Sequence, residues 1–158
     1  MEDCCGHRAE PRPGSCPMCG HPGRGIERIT LKALLRPEAL ARLGPEEHRF
    51  CATPECPVVY FQNAAVFRRE DVLVPVFQKE GEGGRTVCYC FGISEDQIRR
   101  EVETSGFSAS VDRIKVLIRS GRCACEVRNP QGTCCLGNVA TVSRSVPTTA
   151  TQTLSVTV

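Results

Sequence analysis

Apolar positions along this chain fall in short, interrupted runs, and they predict a succession of small elements. Residues 30–35, Thr-Leu-Lys-Ala-Leu-Leu, read as a short helical turn. Pro37 stands where a first helical residue belongs, Ala39, Leu40 and Leu43 share one face, and Gly44 marks the stop. Residues 49–51 and 57–61 read as strands joined by the turn 52–55, and the apolar pairs and triplets at 66–67 and 72–74 continue a small sheet. Polar, charged and Gly-rich residues then run from 78 to 85, which is the chemistry of a solvated linker. Beyond it the period becomes helical. Ser94 and Gln97 form a capping box, Ile98 and Val102 share one face, Arg99, Arg100, Glu101 and Glu103 point outward, and Gly106 ends the helix. A second helix begins near Ser108 or Ser110, carries Val111, Ile114, Leu117 and Ile118 as its stripe, and closes at Gly121. Residues 121–137 read as a loop reversed by the turn Asn129-Pro130-Gln131-Gly132.

This pattern divides 158 residues into a flexible N-terminus (1–12), a first module (13–76), the linker (77–85), a second module (86–145) and a tail (146–158). The tail ends in a strand-like alternation at 154–158, but disorder is the default at a terminus. The expected fold class is α+β, a small metal-stapled β/α module followed by a helical one. Modules of about 60–70 residues bury too little surface to be comfortable without staples.

Twelve cysteines supply the candidates. An even count permits a disulfide framework, but residues 1–25 carry no apolar segment of the kind that directs export. Adjacent and alternate cysteines are also poor disulfide partners. Metal ligation in a reducing, cytoplasmic setting is therefore expected. Nothing approaches the ~20 apolar residues of a membrane span. A net charge of +2 with 5% aromatic residues argues against a nucleic-acid partner.

Cys16-x2-Cys19, with Gly20 behind it, makes a knuckle, and Cys51-x4-Cys56 offers the second half of a closed Cys4 site suited to zinc. Iron in a rubredoxin-like arrangement and plain buried thiols are the alternatives. His21 and His48 lie near the knuckles and read as surface residues. Cys88-x-Cys90, answered across the helices by Cys123-x-Cys125 and Cys134-Cys135, suits a [2Fe–2S] cluster held by loops at one pole of a helical hairpin.

These motifs resemble a known family. The Cys-x-Cys, capped helix pair and later cysteine loop are similar to bacterioferritin-associated-ferredoxin-type [2Fe–2S] domains. Joined to the upstream Cys-x2-Cys and to Phe-Cys-x4-Cys-Pro-Val-Val-Tyr-Phe at 50–61, they resemble the N-terminal zinc- and [2Fe–2S]-containing part of CopZ copper chaperones, from about residue 13 to 140. The resemblance implies structural zinc at Cys16, Cys19, Cys51 and Cys56, and a [2Fe–2S] cluster. The family's Cys-x9-Cys spacing favours Cys125 and Cys135 beside Cys88 and Cys90, although the distance from Cys90 to Cys123 is nearer that of the ferredoxin relatives.

The family also implies a role around cytoplasmic copper, in which electrons from the cluster reduce Cu(II) to Cu(I) before delivery to a separate carrier or a copper-exporting ATPase. The copper-carrying Gly-Met-x-Cys-x2-Cys loop of such chaperones has no counterpart in this sequence. Four thiols are left over. Cys4 and Cys5 with His7 form a candidate hook for Cu(I) or another thiophilic ion, and Cys123 and Cys134 flank the expected cluster. Competing readings are a ferredoxin partner of an iron-storage protein and a zinc-dependent interaction module without redox chemistry. No nucleophile–base pair, phosphate loop or carboxylate pair supports a classical enzyme.

Overall fold

A computed structural model describes residues 13–147. The first half is an antiparallel sheet in the order β1 (Arg24–Ile26), β2 (His48–Phe50), β3 (Val58–Gln62) and β4 (Ala65–Arg68), with α1 (Arg28–Leu34) and the single turn α2 (Pro37–Leu40) inserted between β1 and β2. Strand β3 is buried from Val58 to Phe61 because each of its faces meets a separate cluster. A register shift between Val58 and Tyr60 breaks strict alternation. Val59 and Tyr60 thus join Leu31, Leu34, Phe50 and Phe67 in the larger core, while Val58 and Phe61 back the cysteines Cys16, Cys51 and Cys56.

The second half opens with the hairpin β5 (Thr86–Cys88) and β6 (Ile93–Ser94), followed by α3 (Glu95–Ser105), α4 (Ala109–Arg119), the short α5 (Cys125–Arg128) and α6 (Leu136–Ser145). The Ser94 hydroxyl caps α3 by accepting from the Gln97 amide at 3.2 Å, but the Gln97 side chain donates to Glu101 and Ser110 rather than closing a capping box. Helix α3 ends on Gly106 in the left-handed conformation, φ +79°. Val87, Ile93, Ile98, Ile114, Val139 and Val142 form its core. Beside that core, the buried Glu95 carboxylate is held by Arg85 at 2.6 Å and Arg99 at 2.7 Å.

Several expectations change. Strand β1 and helix α6 are additional elements, and α6 packs against both α3 and α4, so the helical half is more than a hairpin. Of residues 72–74 only Val72 pairs, in an isolated bridge to Leu35, while Leu73 is exposed. On α4 the small Ser110 is fully buried, whereas Leu117 and Ile118 are half-buried. Glu101 does not point outward. It accepts from the Ser108 and Ser110 hydroxyls and from the Ser110 amide, so it closes the α3–α4 corner.

His48 is not a surface residue either. It is 5% exposed, stacked near Phe67, with Nδ1 bonded to the Glu46 carbonyl at 2.8 Å. The segment expected to be a solvated linker begins instead with a 3-10 turn, Phe77–Lys79, in which Lys79 is 3% exposed. Val146, assigned to the tail, is buried, and residues 1–12 and 148–158 lie outside the described residues. Among the described residues no helix is long and apolar enough to cross a membrane.

Candidate metal centres

The first site is built by two knuckles. One turns through Gly20, whose φ of +74° lets the Gly20 amide return to the Cys16 carbonyl at 2.8 Å. The other follows β2, where the Cys51 amide pairs with the Val59 carbonyl and places its thiol under the sheet. The Sγ atoms of Cys16, Cys19, Cys51 and Cys56 all lie within 4.8 Å of one another. Cys16 and Cys56 are 3.8 Å apart and Cys19 and Cys51 3.7 Å. A tetrahedron with metal–sulfur arms of about 2.3 Å has edges of roughly 3.8 Å, so the four thiols already have the span of one zinc ion. His21 and the His48 ring are not needed to complete the set.

The thiols of this site differ in acidity. Burial raises Cys16, and it raises Cys56 to about 12. Burial also works against ionisation of Cys19, but hydrogen bonds from Thr53 and His21 outweigh it and hold that thiol at about 6. Lys79 brings its ammonium to 3.6 Å from Cys51 Sγ. Groups that stabilise negative sulfur thus stand beside Cys19 and Cys51, while burial works against it at Cys16 and Cys56.

The second set of thiols is arranged differently. Cys88 comes from the end of β5, Cys90 from the turn after it, Cys125 from the first residue of α5 and Cys135 from the residue before α6. Cys90 and Cys125 meet at 3.6 Å, and Cys88 and Cys135 are buried together in the core cluster of the helical half. Among the described residues, the Cys16 set alone gathers its ligand atoms tightly enough for one shared ion. Four thiols spread more widely than that, with Cys90 and Cys125 in contact, suit a group of two metal atoms, each taking two thiolates. The amide of Ala124 points at Cys90 Sγ at 3.3 Å, which is the donor that a negative sulfur requires.

The nearby Cys135 thiol holds Cys88 at about 7 despite its burial. That same proximity, followed by burial, raises Cys135, and burial first of all raises Cys125 to about 12. Of the competing thiols, Cys125 and Cys135 are buried, Cys123 is half-buried and Cys134 is exposed. All ten described cysteines are free.

The loop between α5 and α6 is seated on the first module. Tyr60 donates from its hydroxyl to the Pro130 carbonyl at 2.8 Å, and Arg24 donates to the Gln131 carbonyl at 2.8 Å. The buried Asn129 closes the turn on itself, accepting from the Gln131 amide and donating to the Thr133 carbonyl. Sequence reasoning passed over Tyr60, Lys79 and Gln131. Their partners are up to 107 residues away, and the available signal was a lone lysine and glutamine flanking apolar or turn residues.

Comparison with known proteins agrees with the reading of the first site as a zinc centre. Residues 13–73 match the family zf_CopZ, described as a zinc binding domain. The chain is 30% identical over 121 residues to the copper chaperone CopZ of Archaeoglobus fulgidus, an overlap that takes in 76% of this chain and 57% of that protein. Its fold is similar to the X-ray structure of the Archaeoglobus fulgidus CopZ N-terminal domain, with a TM-score of 0.69 at 26% identity, covering 84% of this chain and 98% of that one. The similarity to CopZ therefore extends past the zinc-binding region into the helical half, while the chain spans little more than half the length of the curated relative.

Proposed function

We propose that this chain is a metal-handling electron-transfer protein of copper homeostasis. In this reading Cys16, Cys19, Cys51 and Cys56 hold structural zinc, and Cys88, Cys90, Cys125 and Cys135 hold a [2Fe–2S] group. The observation that carries it is the second set of thiols, four cysteines from four separate loop or helix ends, with Cys90 in contact with Cys125 and with Cys88 and Cys135 buried in one apolar cluster. A [2Fe–2S] group bound there supplies one electron at a time, which matches the step from Cu(II) to Cu(I).

The chain's own residues have definite tasks in this reading. The Ala124 amide stabilises charge on Cys90 sulfur, and Arg128 caps the Cys90 carbonyl at 3.4 Å. Val87, Ile98 and Val139 exclude water from the inner side. The exposed Cys134 and half-buried Cys123 mark the outer side, where a soft ion and a partner have access. Copper enters through the similarity to a copper chaperone. Its handling partners would be a separate copper carrier or a copper-exporting ATPase, in a reducing cytoplasm that keeps the thiols free.

The test is a visible spectrum of anaerobically purified full-length protein before and after dithionite. Bands between about 400 and 600 nm that bleach on reduction, with two irons per chain, are expected. The reduced protein should then convert Cu(II) to Cu(I), trapped by a Cu(I)-specific chelator. Protein that stays colourless after reconstitution with iron and sulfide rejects the redox reading and leaves a zinc-dependent interaction module. A bleaching centre that leaves Cu(II) untouched favours the ferredoxin reading, a partner of an iron store.

A further inference from the structure

We infer that Lys79 is a positioning residue that ties the second set of cysteines to the metal state of the first, through a strap formed by residues 75–79. Its metal-loading consequence rests on the second set being a metal centre, as proposed above, whereas its effect on thiol protection does not. Lys79 is anchored on the first site. Its ammonium, almost fully buried, donates to the Thr53 carbonyl at 2.6 Å and to Cys51 Sγ at 3.6 Å. Thr53 in turn accepts from Cys19 Sγ at 3.4 Å, so a single cation and its acceptor touch both knuckles. Four thiolates around a divalent ion carry a net charge of about minus two, and a buried ammonium against them is a compensated charge. When the metal leaves, nothing clamps the two knuckles together, and once Cys51 moves off, the buried ammonium is short of an acceptor, which is costly enough to release the strap.

The same strap holds the loops of the second site. The Phe77 amide donates to the Tyr89 hydroxyl at 2.9 Å, and that hydroxyl donates to the Pro75 carbonyl at 2.6 Å. Tyr89 is the residue between Cys88 and Cys90. Gln78 donates to the Gln131 side chain, whose own amide reaches the Cys134 carbonyl at 3.0 Å, next to Cys135. Each half of the second set is thus bonded to a five-residue segment whose last residue is bonded to Cys51. A strap so connected cannot leave the first site without loosening Tyr89 and Gln131 together.

The experiment uses the full chain free of iron, with zinc loaded or removed by a chelator. It follows the alkylation rates of Cys88 and Cys135 with iodoacetamide by mass spectrometry. Zinc removal is expected to accelerate both by at least about tenfold, the equivalent of losing one charge-assisted hydrogen bond. In Lys79→Met, one zinc per chain is retained while Cys88 and Cys135 already react about tenfold faster than in the zinc-loaded wild type. Consequently, zinc removal should add less in the variant than it does in the parent.

Gln78→Leu touches neither set of cysteines and should accelerate Cys135 while sparing zinc, so it decides the matter if Lys79→Met loses its zinc. Equal wild-type rates with and without zinc would overturn the strap, as would variants indistinguishable from wild type. In a parallel reconstitution, zinc-loaded protein should take up iron and zinc-free protein should not. Failure to take up iron under either condition counts against the cluster reading alone, and the alkylation rates still decide the role of Lys79.

Discussion

Gly132 tests the seating of the second loop on the first module, because its contacts allow the cost of a single methyl group to be worked out. It sits at φ +68°, where an L-residue costs about 1–2 kcal/mol. A Cβ added there would lie 2.8 Å from Ile26 Cδ1, 3.3 Å from Ile26 Cγ1 and 3.2 Å from Thr30 Oγ1. Carbon atoms prefer a separation of about 3.5–4.0 Å, so something must yield. The half-buried Ile26 can swing its terminal methyl away at about 0.5–1.5 kcal/mol, whereas the fully buried, β-branched Thr30 is stiff. The sum for Gly132→Ala is about 2–4 kcal/mol, or roughly 5–12 °C in Tm for a domain of this size.

Gly106→Ala is the control. Its φ of +79° carries the same backbone strain, but nothing lies within 4 Å of the added Cβ, so it should cost only about 1–2 kcal/mol. The assay is thermal unfolding of the zinc-loaded proteins, followed by circular dichroism. A Gly132→Ala shift no larger than that of Gly106→Ala would refute the reasoning, because the excess measures the contact between the loop and Ile26 with Thr30.

Other consequences can be measured in the same preparations. Burial works against ionisation of Glu95, but Arg99 and Arg85 outweigh it and hold the carboxyl below its usual range. A depressed folded-state value means that its stabilisation is full above about pH 4.5 and is lost as the pH falls through the lower, folded value. Glu95→Gln should lower stability at pH 7 by about 2–3 kcal/mol, somewhat under the figure for a fully buried pair because Arg85 and Arg99 are partly exposed, and it should flatten the acid limb of the stability curve. An unchanged acid limb would place the titration elsewhere.

Cys135→Ser should abolish the bleaching visible bands while Cys134→Ser retains them, since Cys135 is buried against Cys88 and Cys134 is exposed; the reverse result would exchange the ligands. Cys56→Ser should drop zinc from one equivalent to none at micromolar metal, as read by a zinc-sensitive dye. Retention would mean that three thiols suffice.

Much of the candidate site was legible because metal ligation and capping are local chemistry. The Cys16–Cys19 knuckle needs only its own spacing and Gly20, and the Ser94 cap needs only Gln97 three residues later. That Cys125 and Cys135 are buried while Cys123 and Cys134 are more open was not local. Each pair is separated by at most two positions, and which thiol meets Cys90 or joins the cluster around Cys88 is selected by how α5 and α6 begin.

The sequence by itself determined the two groups of cysteines, the capped α3, the α4 stripe around Ile114 and the β3 strand, because each is written in a spacing or period shorter than about ten residues. Tertiary structure alone decided that β1 joins the sheet, that α6 completes the helical half, and that His48 and Lys79 are buried. A three-residue edge strand has too few positions to show a period, and a histidine or lysine is buried only when distant partners satisfy it. For Lys79 those partners are Thr53 and Cys51, more than twenty residues away, so its charge reads as solvated until the fold brings the first cysteine site beneath it.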